Sequence, residues 1–375
     1  MKFTFDRDAV VKELAIAQEI IASKNHSLVM SNIMLTAENN KLIMTATDSL
    51  INFKTTVPVD IIEEGTVIVF CAKFLEILSS LPNGCGEIEF IEQKNADGST
   101  QSVIIRPIAK RVKFELSSLS AEKFPETKFE SESPFFEIES KKLKTMIQQT
   151  IFAISNDDKR RFLSGVYFSK NEGNFILVAT DAKRLSLAKY EITTDIPDFP
   201  SAIVPTKILG IIQKHAPLEG MISMSITQDT IFFKFGSYEF SSLLISGKFP
   251  AYQRVIPENQ SHTLKLKKTD LIDAIRRMTI MTDQKAERIY LDIQPGMMKV
   301  LSSQTDEGQS EEEIPCQYAD EAITIAVNYK YLDNPLRVMT SEDAAIEFSQ
   351  EMSAITLRPD PAEDYFHIIM PMQKE

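Results

Sequence analysis

Apolar and polar positions follow two different periods along the chain. Segments with a period of two, at 41–47, 175–180 and 231–235, predict strands with one buried face. Stretches with helical spacing predict helices at 7–24, 73–82, 141–156, 206–216, 267–281 and 328–338. Because strands come in groups of three or four between single helices, the pattern favours antiparallel sheets covered on one side, which is an α+β fold.

One arrangement of apolar positions occurs three times. The segment FTFDRDAVVKEL from Phe3 matches FEIESKKLKTMI from Phe136 and LKLKKTDLIDAI from Leu264 in the same register. A Thr-Asp pair follows in each copy, at 47–48, 180–181 and 305–306, and Lys-Phe-Pro closes the first two copies at 123–125 and 248–250. The shared order indicates an internal repeat. We therefore divide the 375 residues into three domains, at 1–126, 127–256 and 257–375, with polar, proline-bearing stretches at the boundaries.

The charge of the chain is distributed unevenly. The formal net charge of -12 at first argues against a nucleic-acid partner. The predicted helices, however, carry fifteen basic and seven acidic residues, about +8, which leaves about -20 for the rest of the chain. If the repeated helices share one side of the protein, that side can track phosphates without reading bases.

Composition and motifs argue against several classes of protein. The 12 glycines form neither GxGxxG nor GxxxxGK[ST], so we expect no nucleotide site and no cofactor. The three cysteines lack CxxC spacing and the four histidines are scattered, so we expect no metal site. An apolar run of about 18 residues and a secretory leader are both missing, and we expect a cytoplasmic protein without membrane contact.

An enzyme is the alternative class. A hydrolase needs a paired acid and base, and the chain has no convincing pair and no GxSxG motif. The Asp48 and Asp181 carboxylates are conceivable catalytic groups. Their recurrence at equivalent turns instead favours a structural role, in which each side chain accepts hydrogen bonds from its own turn.

Several segments together point to one family. They are the MKFT start, ATDAKRLSLA at 179–188, GKFPAYQRVIP at 247–257, the pair Asn328 and Tyr331, and IIMPM at 368–372. In this order and spacing, from 1 to 372, the chain resembles the bacterial DNA polymerase III beta subunits, the DNA sliding clamps. The resemblance implies the DNA-clamp fold: three repeated domains, each of two βαβββ units, with helices lining the inside and antiparallel sheets forming the outside of a ring. It also implies a non-catalytic homodimer that encircles double-stranded DNA without sequence preference and confers processivity on the replicative DNA polymerase.

The resemblance further implies a pocket between the second and third domains for short peptides of the polymerase, the clamp loader and repair partners. Matched by motif, the pocket residues are Leu163, Thr180, Lys183, Arg184, Leu185, Pro250, Arg254, Val255, Asn328, Tyr331, Met352, Ile368, Met370, Pro371 and Met372. Methionine and aliphatic side chains form an adaptable apolar surface, while the arginines and the asparagine fix peptide polar groups. Ala182-Lys183 stands where the family often has Gly-His, and Ala286 stands in place of an aromatic residue. We therefore expect one pocket wall to be more open and more basic.

Two further sets of residues follow from the resemblance. Lys24, Asn156 and Arg160 match loop positions that contact DNA, with Asp157 where a polar neutral residue is common. For the dimer, Phe114 and Leu116 are expected to pack against Ile280 and Met281 of the partner subunit. The alternative function is a repeat-built peptide-binding scaffold that does not encircle DNA, which would account for the net acidity.

Overall fold

The computed structural model describes residues 1–21, 28–96, 100–192, 196–282, 285–306 and 308–374. The chain forms two compact units. The first unit contains Met1–Ile138 and Met221–Leu243, and the second contains Glu139–Gly220 and Leu244–Glu375.

The elements of each third of the chain follow the same order. The first third contains β1 (Lys2–Asp6), α1 (Arg7–Ile21), β2 (Asn32–Glu38), β3 (Lys41–Thr47), β4 (Ile51–Pro58), β5 (Asp60–Glu63), β6 (Gly65–Phe70), α2 (Cys71–Ser80), β7 (Glu87–Lys94), β8 (Thr100–Pro107) and β9 (Phe114–Leu119). The second contains β10 (Phe136–Glu139), α3 (Ser140–Thr150), β11 (Gly165–Asn171), β12 (Asn174–Thr180), β13 (Arg184–Glu191), β14 (Ala202–Pro205), α4 (Thr206–His215), β15 (Met221–Ile226), β16 (Thr230–Phe235) and β17 (Tyr238–Leu243). The last contains β18 (His262–Lys267), α5 (Lys268–Met278), β19 (Arg288–Gln294), β20 (Met297–Ser302), β21 (Glu311–Pro315), β22 (Ile323–Asn328), α6 (Tyr329–Val338), β23 (Asp343–Phe348), β24 (Ile355–Asp360) and β25 (Tyr365–Ile369). Apart from the short β5, each third is two successive βαβββ units, which confirms the predicted fold.

The helices follow from their apolar spacing. In α3 the side chains of Leu143, Met146, Ile147 and Thr150 are buried at helical intervals, while Lys141 on the other face is exposed. The predicted helix 141–156 is nevertheless too long. The Thr150 hydroxyl donates to the carbonyl oxygen of Met146 at 2.8 Å, and the chain then tightens into a short 3-10 turn at Ile151–Ala153. A side chain that bonds to its own helix backbone in this way is common near a bend or an end.

The sheets join segments that are far apart in sequence. The sheet of the first unit has 13 strands in the order β10-β15-β16-β17-β4-β3-β2-β6-β9-β8-β7-β1-β5. The second unit has an 8-stranded sheet, β14-β11-β12-β13-β25-β24-β23-β18, and a 4-stranded sheet, β21-β20-β19-β22. Two pairings are equivalent in the repeat: β17 with β4 in the first unit, and β25 with β13 in the second.

Each unit has an aromatic core. In the first, the rings of Phe3 and Phe90 stack with their centroids 4.8 Å apart. In the second, Tyr167 stacks on Phe249 at 4.6 Å, beside the buried Leu185 and Ile368. This second cluster supports the candidate site.

The net charge of the helices is positive, and this positive charge lies on the helices of the second unit. The six helices carry thirteen basic and seven acidic residues, a net +6. In the first unit, α1 and α2 carry three basic and four acidic residues, whereas α3 to α6 in the second carry ten basic and three acidic. The positive charge therefore comes from the helices of the second and third repeats, because the described helices of the first repeat carry one more acidic than basic residue. Within the described ranges, no helix is long and apolar enough to cross a membrane.

Candidate functional site

The turn between β12 and β13 forms one wall of the site. Asp181 Oδ1 accepts hydrogen bonds from the backbone N–H groups of Lys183 and Arg184, at 2.9 and 3.0 Å. Thr180 Oγ1 accepts from the backbone N–H of Ala182 at 3.1 Å. The structural role predicted for the Thr-Asp pair is confirmed here. Ala182 has a φ of 76°, a left-handed conformation that favours glycine.

Arg184 is the most heavily engaged side chain of this wall. Its Nε donates to Asp181 Oδ2 at 3.0 Å and its Nη2 donates to the Phe152 carbonyl oxygen. The guanidinium carbon lies 4.7 Å from the centroid of the Tyr331 ring, within the range of a cation–π contact. Among the described residues, Arg184 Nη1 has no hydrogen-bond partner. The guanidinium is therefore held in one orientation with one donor unused.

A cavity of about 360 Å³ lies beside this turn, and we call it the Arg184 cavity. Its lining comprises Leu163, Thr180, Ala182, Lys183, Arg184, Leu185, Pro250, Ala251, Tyr252, Val255, Ile368 and Met370. Leu185 pairs with Ile368 across strands β13 and β25, and both are only 3% exposed, so they form an apolar floor. At the rim, Val255 and Met370 are 54% and 46% exposed. A buried apolar floor with a few fixed polar groups is typical of ligand pockets.

The structure brings together nine of the fifteen residues predicted for the peptide pocket. Arg254, Asn328, Tyr331, Met352, Pro371 and Met372 do not line the cavity. The Tyr331 ring contacts Arg184, which does line the cavity, and the Met352 side chain is half exposed. Ala251 and Tyr252 were missed, although they lie inside the GKFPAYQRVIP motif that points to the site.

Asn328 is occupied within its own unit. Its Oδ1 accepts from the backbone N–H of Lys330 at 2.9 Å and caps α6. Its Nδ2 donates to Glu287 Oε2 at 3.0 Å, and Lys330 Nζ donates to the other carboxylate oxygen. Burial raises the pKa of Glu287, but the hydrogen bonds from Lys330 and Asn328 outweigh it, so this pKa lies below its ordinary value. Asn328 thus has a clear structural role beside any contact with a peptide.

A buried polar group lies behind the cavity. His367 on β25 is fully buried, and neither ring nitrogen has a hydrogen-bond partner among the described residues. Burial lowers its pKa, and the charge of Arg184 lowers it further, so His367 is neutral at pH 7. Burial, with the nearby Asp181 carboxylate, raises the pKa of Tyr331. The cavity wall therefore carries positive charge from arginine and lysine, and none from histidine.

Comparison with known proteins identifies the family. Three models of the DNA polymerase III beta subunit match: the N-terminal domain at residues 1–128, the central domain at 137–251 and the C-terminal domain at 253–373. A beta sliding clamp from Treponema pallidum is 38% identical over 379 residues, and 100% of each chain is covered.

The chain belongs to the DNA polymerase III beta subunit family.

Other relatives agree. A beta sliding clamp from Pseudomonas putida is 30% identical with 100% of each chain covered. A crystal structure of the DnaN sliding clamp from Pseudomonas aeruginosa bound to griselimycin has a TM-score of 0.92 at 28% identity, with 100% of each chain covered. A C. crescentus beta sliding clamp structure has a TM-score of 0.94 at 26% identity, covering 100% of this chain and 99% of that one. The protein is therefore a non-catalytic processivity subunit of DNA polymerase III with the three-domain clamp fold, and the family implies DNA and polymerase partners.

The residues matched to DNA-contacting positions of the family differ in their surroundings. Lys24 lies outside the described residues. Asn156 is exposed, while Arg160 Nε donates to Asp157 Oδ2 at 2.9 Å. The hydrogen bond from the Lys159 backbone N–H, followed by that from Arg160, lowers the pKa of Asp157. Arg160 is therefore already paired with the Asp157 carboxylate, and a DNA phosphate would compete with that carboxylate for it.

The residues matched to the beta-subunit dimer contact lie outside the buried core. Ile280 is 77% exposed, and Met281, Phe114 and Leu116 are half-buried. Phe114 and Leu116 belong to β9 of the first unit, and Ile280 and Met281 follow α5 in the second. Among the described residues, no group of three or more His, Cys, Asp or Glu side chains is placed to hold a metal ion.

Proposed function

We propose that two copies of this chain close into a ring around double-stranded DNA and tether the replicative polymerase through short peptides bound in the Arg184 cavity. The three domains of each copy would be residues 1–126, 127–256 and 257–375. Clamp-loader and repair partners would bind the same cavity in turn. The protein would then act in the cytoplasm, at the nucleoid.

The Arg184 cavity is the observation that carries the peptide part of this proposal. Its buried pair Leu185 and Ile368 offers an apolar floor, and the exposed Val255 and Met370 can close over an apolar side chain. The guanidinium of Arg184 gives this wall positive charge, which suits a peptide carbonyl or carboxylate oxygen, although its Nη1 atom is buried. With Lys183 beside it, the wall favours peptides that are neutral or acidic.

The helix charge supports the DNA part. Helices α3 and α4 carry five basic residues and no acidic ones. Lys144 Nζ donates to the Ala216 carbonyl oxygen at 2.9 Å, while Lys141 is exposed. Such a surface binds phosphates through charge and without sequence preference. A closed ring needs only weak contacts of this kind, because its topology retains the DNA.

Griselimycin provides a defined probe, since the Pseudomonas aeruginosa clamp has been crystallised bound to it. We expect griselimycin to bind the Arg184 cavity and to inhibit primer extension that depends on this protein. Val255→Glu places a carboxylate at the apolar rim, and calorimetry should show at least about a tenfold loss of affinity, near 1.4 kcal/mol. Leu218→Glu is the matched control, because Leu218 is also exposed, at 76%, and lies outside this cavity. Equal affinity in the two variants would contradict the proposed site.

A further inference from the structure

The first unit contains a second cavity built on the same plan. It has a volume of about 290 Å³, and we call it the Asn52 cavity. Its lining comprises Thr47, Ser49, Asn52, Pro125, Glu126, Lys128, Asp229, Thr230, Ser241 and Leu243. The Thr-Asp pair at 47–48 and the Lys-Phe-Pro at 123–125, which mark the first repeat, meet at this cavity.

The turn at the Asn52 cavity repeats the geometry of the turn at the Arg184 cavity. Asp48 Oδ1 accepts from the backbone N–H groups of Leu50 and Ile51 at 3.0 and 2.7 Å, and Thr47 Oγ1 accepts from that of Ser49 at 3.0 Å. Ser49 has a φ of 76°, the same value as Ala182. The two turns therefore hold their strands in the same way.

The strand that follows each turn is also paired in the same way. The backbone N–H of Leu243 donates to the carbonyl oxygen of Leu50 at 2.9 Å, and that of Met370 donates to Lys183 at 2.9 Å. Asn52 faces Ser241 across β4 and β17, as Leu185 faces Ile368 across β13 and β25. The equivalent lining pairs are Thr47 with Thr180, Ser49 with Ala182, Asn52 with Leu185, Pro125 with Pro250, Ser241 with Ile368, and Leu243 with Met370.

The floors of the two cavities have opposite polarity. In the Asn52 cavity, Thr47 Oγ1 donates to Asn52 Oδ1 at 2.7 Å, Asn52 Nδ2 donates to Ser241 Oγ at 2.9 Å, and Ser241 Oγ donates to the Lys128 carbonyl oxygen at 2.6 Å. These groups form a continuous hydrogen-bonded chain where the Arg184 cavity has a leucine and an isoleucine. The rest of the lining is mixed: Leu243 is 44% exposed, while Glu126, Lys128 and Asp229 bring charged side chains to this cavity.

We propose that Asn52 and Ser241 are specificity-determining residues, which keep apolar peptides out of the Asn52 cavity and so limit each chain to one bound peptide. An apolar side chain on this floor would meet an amide and a hydroxyl that are already hydrogen-bonded, so it would gain little from burial there. On the Leu185 and Ile368 floor the same side chain gains from burial. The two floors share one strand pairing, so their difference in polarity lies in these two side chains, while Leu163 and Val255 line only the Arg184 cavity. This inference rests on the proposed function of the Arg184 cavity.

The test exchanges the floor. In the double variant Asn52→Leu with Ser241→Ile, the first unit receives the residue pair of the second unit. Calorimetry with griselimycin should give one molecule per wild-type chain and two per variant chain. Asn52→Gln with Ser241→Thr is the matched control, because it adds volume and leaves the floor polar, and it should remain at one. Where the double variant is not folded by circular dichroism, Asn52→Leu alone takes its place and should likewise bind a second molecule.

The outcomes separate the two proposals. One griselimycin on a folded Leu/Ile variant, or two on the wild-type chain, would overturn the role of Asn52 and Ser241 and leave the Arg184 cavity intact. A wild-type chain that binds none would overturn the proposed site and this inference with it.

Discussion

Replacing Arg184 tests whether its guanidinium holds the wall of the cavity. Arg184→Met retains an unbranched side chain of similar length and removes the charge. The side chain is 9% exposed, so its contacts are made largely away from water. Three of them disappear: the ion pair with Asp181, the hydrogen bond to the Phe152 carbonyl oxygen, and the contact with the Tyr331 ring.

The expected loss can be worked out contact by contact. Asp181 keeps two backbone hydrogen bonds in the variant, so the lost ion pair costs only about 1 kcal/mol. The hydrogen bond and the cation–π contact each contribute about 1 kcal/mol. The substitution also removes the buried, unpaired Nη1 group, and this stabilises the variant by about 1 kcal/mol. The net destabilisation is about 2 kcal/mol, which for a unit of roughly 200 residues lowers its Tm by about 4–8 °C.

Thermal unfolding followed by circular dichroism measures this change. Lys183→Met is the matched control, since Lys183 is the exposed neighbour and should change the stability by less than about 0.5 kcal/mol. Arg184→Lys should fall between the two, because an ammonium group cannot make all three contacts at once. A Tm for Arg184→Met that equals that of Lys183→Met would refute the argument.

Two further predictions concern acid stability and the dimer. Burial raises the pKa of Glu239, but hydrogen bonds from Lys54 and Lys234 outweigh it, so this pKa lies below its ordinary value. The stability that Glu239 contributes is therefore fully present above its unfolded pKa of about 4.3, and it is lost as the pH falls through the folded pKa. Urea unfolding should therefore show wild type losing more stability than Glu239→Gln between about pH 6 and pH 3; equal losses would contradict the ion-pair assignment. Ile280→Asp should sediment as the 42.4 kDa chain while wild type and the control Leu218→Asp sediment at about twice that mass; a 42.4 kDa wild type at micromolar concentration would count against the dimer.

Local patterns predicted much of the fold. The apolar spacing of each helix and strand is a property of neighbouring residues, and its threefold repetition predicted three α+β domains, while the resemblance to the family implied the six βαβββ units. The end of α3 was placed too late, because the bond from Thr150 to its own helix backbone is decided by a rotamer and not by a period.

The candidate site was predictable only in part. Leu185 and Ile368 were identified through motifs, whereas the engagement of Asn328 depends on Glu287, which lies 41 residues away. The contact between Arg184 and Tyr331 likewise depends on how β13 and α6 pack. The Asn52 cavity had a sequence signal, since a Thr-Asp pair and Lys-Phe-Pro occur in both of the first two repeats. The polar character of its floor could not be predicted, because Asn52 and Ser241 lie opposite each other only through the pairing of β4 with β17.

The central claim is that the protein encloses DNA, and retention on DNA of different topology tests it most directly. Protein would be loaded onto a nicked circular plasmid with a bacterial clamp loader and ATP, and retention would be measured by gel filtration in moderate salt. The ring predicts that protein remains on the circular plasmid and is lost once a single cut makes the plasmid linear, because only the topology of the DNA has changed. Equal retention on circular and linear plasmid would contradict it.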